Sequence, residues 1–450
     1  MSGLRLDVRL DGFSKPVGEL RRDTAGDLSF QYNSSYLNSS ISIPLSLSLP
    51  LNDEPTSDAQ VRSFFDNLLQ ERDAPLRSVM DRYGIDRSDI AALLLHVGRD
   101  CAGAISVLPE GAPPSKVPGD IKSDYDFLSE PKIKAIVAAL HDRRPLPDDL
   151  RDPSPLAGVQ SKISVLYLPE SGFALPKPNS GAPTTHILKV PERGRFRDAR
   201  LEHAAMSLAS VCDLKTSEAV VVPFGEIDCL LVERFDRGLD SEGRTIRFHQ
   251  EDFAQALGLP PSLKYERNGL PGRRFDSQAI RRVLDQTAEP ANARRIFAMS
   301  TLFDLLIGNT DAHAKNHSLI YGSGLRPKLA PRYDVLPTRL HRQFNEDFSY
   351  SIGTAVCFGQ VTREELGTFL SDLGLSGRSA QQRLLGEFSR TIPVILAGLL
   401  EQIQSEGMKE FTDLIAANMR QLLPSLNLPV PDAALGRDAF IAGGGGWHAS

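Results

Sequence analysis

Asp311 and Asn316 stand five positions apart in Gly308–Ser318, GNTDAHAKNHS, and a third oxygen donor, Asp334, follows in Ala330–Leu336, APRYDVL. On one loop, a carboxylate can face a substrate hydroxyl while an amide oxygen further round meets a metal ion. A carboxylate at the end of a following strand can bind Mg²⁺ across phosphates, because that ion takes hard oxygen ligands. The chemistry the three could carry together is phosphoryl transfer. Each alone reads equally as a loop cap or turn former, as short polar side chains often are.

Such groups need a rigid support. Ile296, Phe297, Met299, Leu302, Phe303 and Leu306 make a predicted helix apolar enough to be buried on most faces. A polar loop straight after such a helix is a common seat of function. Upstream, Lys189 lies in a predicted strand, THILKVP, and Glu202 opens the next predicted helix, the placement required if the two are to pair and hold phosphates. Leu156–Lys162, LAGVQSK, is a short glycine-containing turn before a strand, the form of a phosphate-covering loop. Val232–Phe235, VERF, ends a strand where two lobes should join, so backbone groups at Glu233, Arg234 and Phe235 could meet adenine. Singly, these are a surface lysine, a hairpin turn and a half-buried strand. Their order decides: turn, strand lysine, helix glutamate, hinge, then the DxxxxN loop and the last aspartate. Protein kinases arrange their parts in that order and space the catalytic aspartate and asparagine in the same way.

The chain has 450 residues, enough for two or three domains with real cores. Its 41% apolar and 24% charged residues exclude a disordered or fibrous protein. A net charge of −6 makes it a poor candidate for wrapping nucleic acid by itself. Cys101, Cys212, Cys229 and Cys357 lie far apart with no CxxC pair, so neither a disulfide framework nor a zinc site is legible. The start, MSGLRLDVRL, lacks a signal-peptide core, and no run is apolar enough for a membrane helix. The expectation is a soluble cytoplasmic protein with reduced thiols and no membrane association.

Period-two alternation in LRLDVRL predicts a first strand, with more at Val17–Leu20 and Leu28–Tyr32. The prolines of Ile43–Leu51 suit a loop or edge better than a central strand. Val61, Phe64, Phe65, Leu68 and Leu69 form a helical stripe. Strand signals recur at Ile163–Leu168, His186–Val190, Val220–Pro223 and Cys229–Phe235, and beyond about residue 250 the signals turn helical. The fold class is α+β: a small amino-terminal α/β domain over 1–110, then a linker and connecting helix over 111–145. A two-lobed, protein-kinase-like domain follows over 146–435, with a β-rich first lobe, an all-helical second lobe and a junction near 236–250. A flexible tail with Trp447 closes the chain over 436–450.

These motifs carry a resemblance. SLPL (Ser48–Leu51), FFDNLL (Phe64–Leu69), GRDCAGAI (Gly98–Ile105), AGVQSK, TTHILKVP, VERFDR, HQEDFAQALGLP (His249–Pro260), GNTDAHAKN and APRYDVLP together resemble the HipA-type serine/threonine kinases, toxins of bacterial HipBA toxin–antitoxin modules. The match runs over nearly the whole length. The resemblance implies ATP and Mg²⁺ as cofactors, a catalytic base at Asp311, metal ligands at Asn316 and Asp334, and a phosphate lysine at Lys189 with Glu202. It further implies nucleotide contacts from Ala157, Gly158, Val159, Gln160, Ser161, Lys162, Glu233, Arg234, Phe235, His313, Lys315, Asn316 and Tyr333. It implies a HipB-like helix-turn-helix antitoxin as partner, operator DNA through that complex, and an aminoacyl-tRNA synthetase as protein substrate. Phosphorylation of that substrate would stop translation and arrest growth. The alternative is a catalytically weak co-repressor acting mainly by binding the antitoxin. Intact Lys189, Asp311, Asn316 and Asp334 argue for catalysis. One departure stands out: Pro155 occupies the position where relatives carry an autophosphorylated serine, which leaves Ser154 or Ser161 as acceptors.

Overall fold

Alternation in the first strand puts Leu6, Val8 and Leu10 on one face, and in the computed structural model all three are buried. The structure describes residues 3–70, 73–144, 146, 161–195, 197–322, 326–341, 346–403 and 408–432. Strand β1 (Leu4–Leu10) pairs antiparallel with β2 (Gly18–Arg22), which pairs with β3 (Leu28–Tyr32). Strand β4 (Ile105–Pro109) pairs with the other edge of β1. The helix Asp58–Asp66 lays Val61, Phe64 and Phe65 on the core that this sheet forms. Each such side chain, fully buried, is worth about 1.5–3 kcal/mol. The proline-bearing stretch 43–51 forms no strand, only a turn bridged from Ser46 to Leu49.

A second, wholly antiparallel sheet follows. It comprises β5 (Tyr125–Phe127), β6 (Lys162–Leu168), β7 (Gly172–Pro176), β8 (His186–Lys189), β9 (Ala219–Phe224) and β10 (Ile227–Glu233), in the order β5-β7-β6-β8-β10-β9. Ile163, Val165, Leu188 and Leu231 on one face meet Ile133, Ile136 and Val137 of the helix Glu130–His141. Two small ladders complete this part: β11 (Arg237–Leu239) with β12 (Thr245–Arg247), and β13 (Gln250–Asp252) with β14 (Ser318–Ile320) and β15 (Lys328–Leu329).

The chain divides into two compact units: Met1–Phe196 with Glu218–Ser262 and Ser318–Ala330, and Arg197–Ser217 with Leu263–His317 and Pro331–Ser450. By this division the expected amino-terminal domain and β-rich lobe fall in one unit, and the chain passes between the units at 196/197, 217/218, 262/263, 317/318 and 330/331. The stretch expected to be a linker is tied down. Lys116 Nζ reaches Asp100 Oδ2 at 2.9 Å, and Gly119 N donates to Thr245 O at 2.9 Å. The expected tail over 436–450 lies outside the described residues.

The second unit is helical, built from Asp198–Val211, Ser277–Leu284, Pro290–Ile307, Arg363–Asp372, Arg378–Ile403 and Lys409–Ser425. It also carries one hairpin, β16 (Asp347–Ile352) with β17 (Ala355–Cys357), so it is helix-dominated rather than all-helical. Helix Pro290–Ile307 starts with proline at its first turn, where no N–H is needed. It buries Phe297, Leu302, Phe303 and Leu306 and packs on Lys409–Ser425. Among the described residues, no helix is long and apolar enough to cross a membrane.

Candidate active site

Helix Pro290–Ile307 ends at Gly308, which adopts φ 75° and ψ 35°, the left-handed cap that glycine takes without cost. A Cβ there would lie 2.9 Å from Leu414 Cδ2, so a side chain would have to displace that leucine as well as hold a strained left-handed backbone. The turn brings Asn309 back on the helix: its Nδ2 donates to Asp304 Oδ1 at 3.0 Å, while its Oδ1 accepts from Asp311 N at 3.0 Å. Thr310 is pinned by Thr338 and Ser349, its N donating to Thr338 Oγ1 at 2.7 Å and its O accepting from Ser349 Oγ at 2.9 Å. The loop is thereby fixed before Asp311 is reached.

Asp311 is half-buried, and its Oδ1 accepts a hydrogen bond from Tyr265 Oη at 2.7 Å. Burial lifts its carboxyl from 3.8 to about 6. The Tyr265 hydrogen bond opposes that rise, the charge of Asp334 adds to it, and Lys264 and Arg267 pull the value down. A carboxylate held near 6 is ionised at neutral pH and still basic enough to take or orient a hydroxyl proton. Asn316 is half-buried, and its Nδ2 donates to the backbone Asp311 O at 2.8 Å, which leaves the amide oxygen as the side chain's acceptor. Asp334 is exposed and sits at φ 57°, a left-handed conformation that costs a non-glycine residue energy and tends to occur at functional sites.

This donor set fits Mg²⁺. The Asn316 amide oxygen and the exposed Asp334 carboxylate are hard oxygen ligands, and that ion keeps waters and phosphate oxygens in its remaining positions. Among the described residues, no group of three or more His, Cys, Asp or Glu side chains suited to a metal occurs.

The remaining expected residues divide between the units. In the helical unit, His313 is buried, its imidazole pushed far below its ordinary value by burial, and its ring meets Tyr265 edge-on at 5.2 Å. Tyr333 Oη donates to Lys315 O at 2.8 Å, and Lys315 is buried. Glu202 is buried on helix Asp198–Val211. In the β-rich unit, Lys189 closes β8, buried, and stands directly opposite Lys162 on β6. Ser161 precedes β6, its O accepting from Val190 N at 2.9 Å. Lys189 and Glu202 fall in different units. Ser154, Pro155, Ala157, Gly158, Val159 and Gln160 lie outside the described residues.

At the expected hinge, backbone and side-chain groups are partly committed within their own unit. Glu233 N donates to Glu218 O at 2.8 Å and Arg234 N to Thr185 O at 3.0 Å. The Arg234 guanidinium makes two 3.0 Å hydrogen bonds to Asp236, with both side chains buried. Arg234 therefore serves the fold of its own unit instead of reaching outward. Glu233 is exposed, its carboxyl raised by partial burial and by Glu218.

Sequence reasoning missed Lys264, Tyr265 and Arg267, in the KYER run just after HQEDFAQALGLP. The Arg267 guanidinium lies 4.0 Å from the Tyr265 ring centroid, and Lys264 O accepts from Ala314 N at 3.0 Å. It also missed Asp304 and Arg332, whose ion pair at 2.5 Å underlies the loop. An aromatic between two cations in a polar loop was the available signal for the first group. For Asp304, one carboxylate inside an otherwise apolar helix was the signal.

A β-rich unit with a lysine-bearing sheet, and a helical unit with an ordered Asp–Asn loop, define a phosphotransferase of the protein-kinase kind. Residues 6–108 match the HipA N-terminal domain family, and residues 154–391 match the HipA-like C-terminal domain family. The chain is 34% identical over 420 residues to "Putative kinase Y4mE" of Sinorhizobium fredii, covering 92% of this chain and 97% of that protein. It is 30% identical over 399 residues to the serine/threonine-protein kinase toxin HipA of Shewanella oneidensis, covering 85% of this chain and 87% of the relative. The solved complex of Shewanella oneidensis HipA, HipB and its operator DNA contains a chain matching at TM-score 0.74 and 27% identity, over 94% of this chain and 96% of that one. The protein belongs to the HipA family of serine/threonine kinase toxins.

Proposed function

We propose that the protein transfers the γ-phosphoryl group of Mg²⁺·ATP to a serine or threonine of a protein substrate, with Asp311 as the catalytic carboxylate. The observation that carries this reading is the Asn316–Asp311 hydrogen bond. It ties the Asn316 amide to the backbone of Asp311, so the catalytic carboxylate and the amide oxygen belong to one hydrogen-bonded loop. Asp311 would accept or orient the hydroxyl proton, while Tyr265 and Asn309 hold its side chain and backbone in place. Asn316 and Asp334 would hold Mg²⁺, which when bound neutralises charge on the phosphates. Lys189 and Lys162 would face the same phosphates. Ala157–Gln160 would cover them, and backbone groups of Glu233–Phe235 would meet adenine.

By analogy with the Shewanella complex, the partner is a HipB-like helix-turn-helix antitoxin, and through it operator DNA. The substrate class we propose is an aminoacyl-tRNA synthetase, with growth arrest as the consequence and Ser154 or Ser161 as autophosphorylation acceptors. The test is label transfer from γ-labelled ATP by the parent and by Asp311→Asn. Loss of a positioned base should cost about 10²–10⁴-fold in rate while nucleotide affinity stays within a few-fold. Equal rates would remove Asp311 from its role. Phosphoproteomics after induced expression would identify the substrate.

A further inference from the structure

The amino-terminal motif GRDCAGAI, Gly98–Ile105, has no part in the chemistry above, yet it is bound closely to the proposed adenine hinge. Gly103 N donates to Asp236 Oδ2 at 3.0 Å, and Gly103 O accepts from Arg237 Nη1 at 3.1 Å. Asp236 is the residue that grips the Arg234 guanidinium through both of its oxygens. Arg237 Nε, in turn, donates to Thr184 O at 3.0 Å, beside the Thr185 carbonyl that receives Arg234 N. A second tie lies alongside. Arg247 donates to Asp11 at 2.6 and 2.8 Å, to Asp100 Oδ1 at 3.0 Å and to Ile105 O at 3.1 Å, and its side chain is fully buried.

Gly103 has φ 68°, and a Cβ on it would lie 2.7 Å from Gln250 N and 3.0 Å from Gln250 O. Those are backbone atoms that cannot swing aside. The loop can therefore approach residues 236–250 this closely only at a glycine. The whole arrangement is buried and mostly ionic, so removing one member leaves a charge without its counterion. Within it, Asp236 holds Arg234, the residue directly after the end of β10.

We propose that the Gly98–Ile105 loop of the amino-terminal domain is a positioning element for the nucleotide: through Gly103 and Asp236 it fixes Arg234, and with it the backbone of Glu233–Phe235 that meets adenine. Gly103, Asp236 and Arg237 are positioning residues and touch no substrate. The inference rests on the hinge reading given under Proposed function.

The experiment uses the full chain. Photolabelling the parent with 8-azido-ATP first locates adenine independently of Gly103. Calorimetry then measures adenosine, which has no phosphates, on the parent, Gly103→Ala, Asp236→Asn, and Leu20→Ala, a core variant of the same domain chosen as a control for destabilisation alone. The expected result is label in the peptide containing 233–235. Adenosine affinity should fall about tenfold in Gly103→Ala, measured well below its melting temperature, and be unchanged in Leu20→Ala. If Gly103→Ala does not fold, Asp236→Asn carries the same expectation, since an amide keeps the shape but cannot grip Arg234 through two oxygens. Label at 233–235 with unaltered adenosine affinity in the folded variants would overturn the inference and leave the hinge reading standing. An equal loss in Leu20→Ala would reduce the loop to a stabilising role and also overturn it. Label elsewhere would remove the hinge reading and the inference with it.

Discussion

Replacing Tyr265 with phenylalanine should move the acid limb of the pH–rate profile, and in a direction the structure fixes. Tyr265 Oη donates to Asp311 Oδ1 at 2.7 Å, which favours the ionised carboxylate. A hydrogen bond to a charged group is worth about 1.5–3 kcal/mol, and one pKa unit corresponds to about 1.4 kcal/mol. Removing the donor should therefore raise Asp311 by roughly one to two units from its value of about 6. Near neutral pH the parent is mostly ionised and the variant mostly protonated. Bound Mg²⁺ would lower both values, so the quantity to read is the difference between the proteins at one Mg²⁺ concentration. The assay is the initial rate of γ-phosphate transfer from Mg²⁺·ATP, to protein or water, between about pH 5 and pH 9. The variant should lose about tenfold near pH 6.5 and approach the parent at the alkaline end. A uniform drop with an unmoved midpoint would mean that Tyr265 only positions the loop; a midpoint shifted downward would refute the electrostatic account of Asp311.

Asn316→Ala and Asp334→Ala should each raise the Mg²⁺ concentration needed for tight ATP binding while leaving adenosine binding unchanged, as calorimetry with and without Mg²⁺ would show. Arg332→Met strands the buried Asp304 carboxylate and should cost about 3–5 kcal/mol in chemical denaturation, because the lost partner leaves an uncompensated charge. Glu251 is buried, with hydrogen bonds from Ser46 Oγ and Tyr321 Oη at 2.5 Å each, and burial lifts it from 4.5 to about 7. The unfolded chain ionises first, so stability present below about pH 4.5 is lost as pH rises toward 7, on the order of 3 kcal/mol. Glu251→Gln should flatten that decline in thermal melts.

What the sequence made legible was whatever depends on periodicity and on short spacing. The strand over 28–32 and the helix ending at Ile307 follow from residues that repeat at two or at three and four, and the structure places both as read. Asp311 and Asn316 were legible because five residues on one loop is a local fact. β5 and β7 were not: YDF and GFALP are short, carry no clean alternation, and are strands only because β6 offers an edge to β7 and β7 in turn offers one to β5. How the expected linker is held was hidden for a related reason. Proline and glycine in EGAPPSKVPGDIK signal irregular backbone, and irregular backbone was read as free. Lys116 within it is nevertheless buried against Asp100, a contact across sixteen residues that composition does not encode. The direction of Arg234 was equally hidden, since a hinge arginine and a fold arginine look alike until Asp236 is seen beside it.

Asp304 shows how the site holds together beyond its visible motif. Its carboxylate is buried at the end of an apolar helix, where burial pushes it up and the Arg332 guanidinium pulls it back. A buried ion pair is seldom worth keeping for stability alone, since an apolar pair of similar volume does as well. This one links two functional segments instead. Arg332 lies two residues before Asp334, and its backbone is tied on both sides: its N donates to Lys215 O, and its O accepts from Ser217 N, each at 2.8 Å. From Asp304 the chain of bonds runs through Asn309 to the amide of Asp311. The proposed metal carboxylate and the proposed catalytic carboxylate thus share one anchor. A shift of Arg332 must be felt at both, and so must any change in the 215–217 segment that grips its backbone.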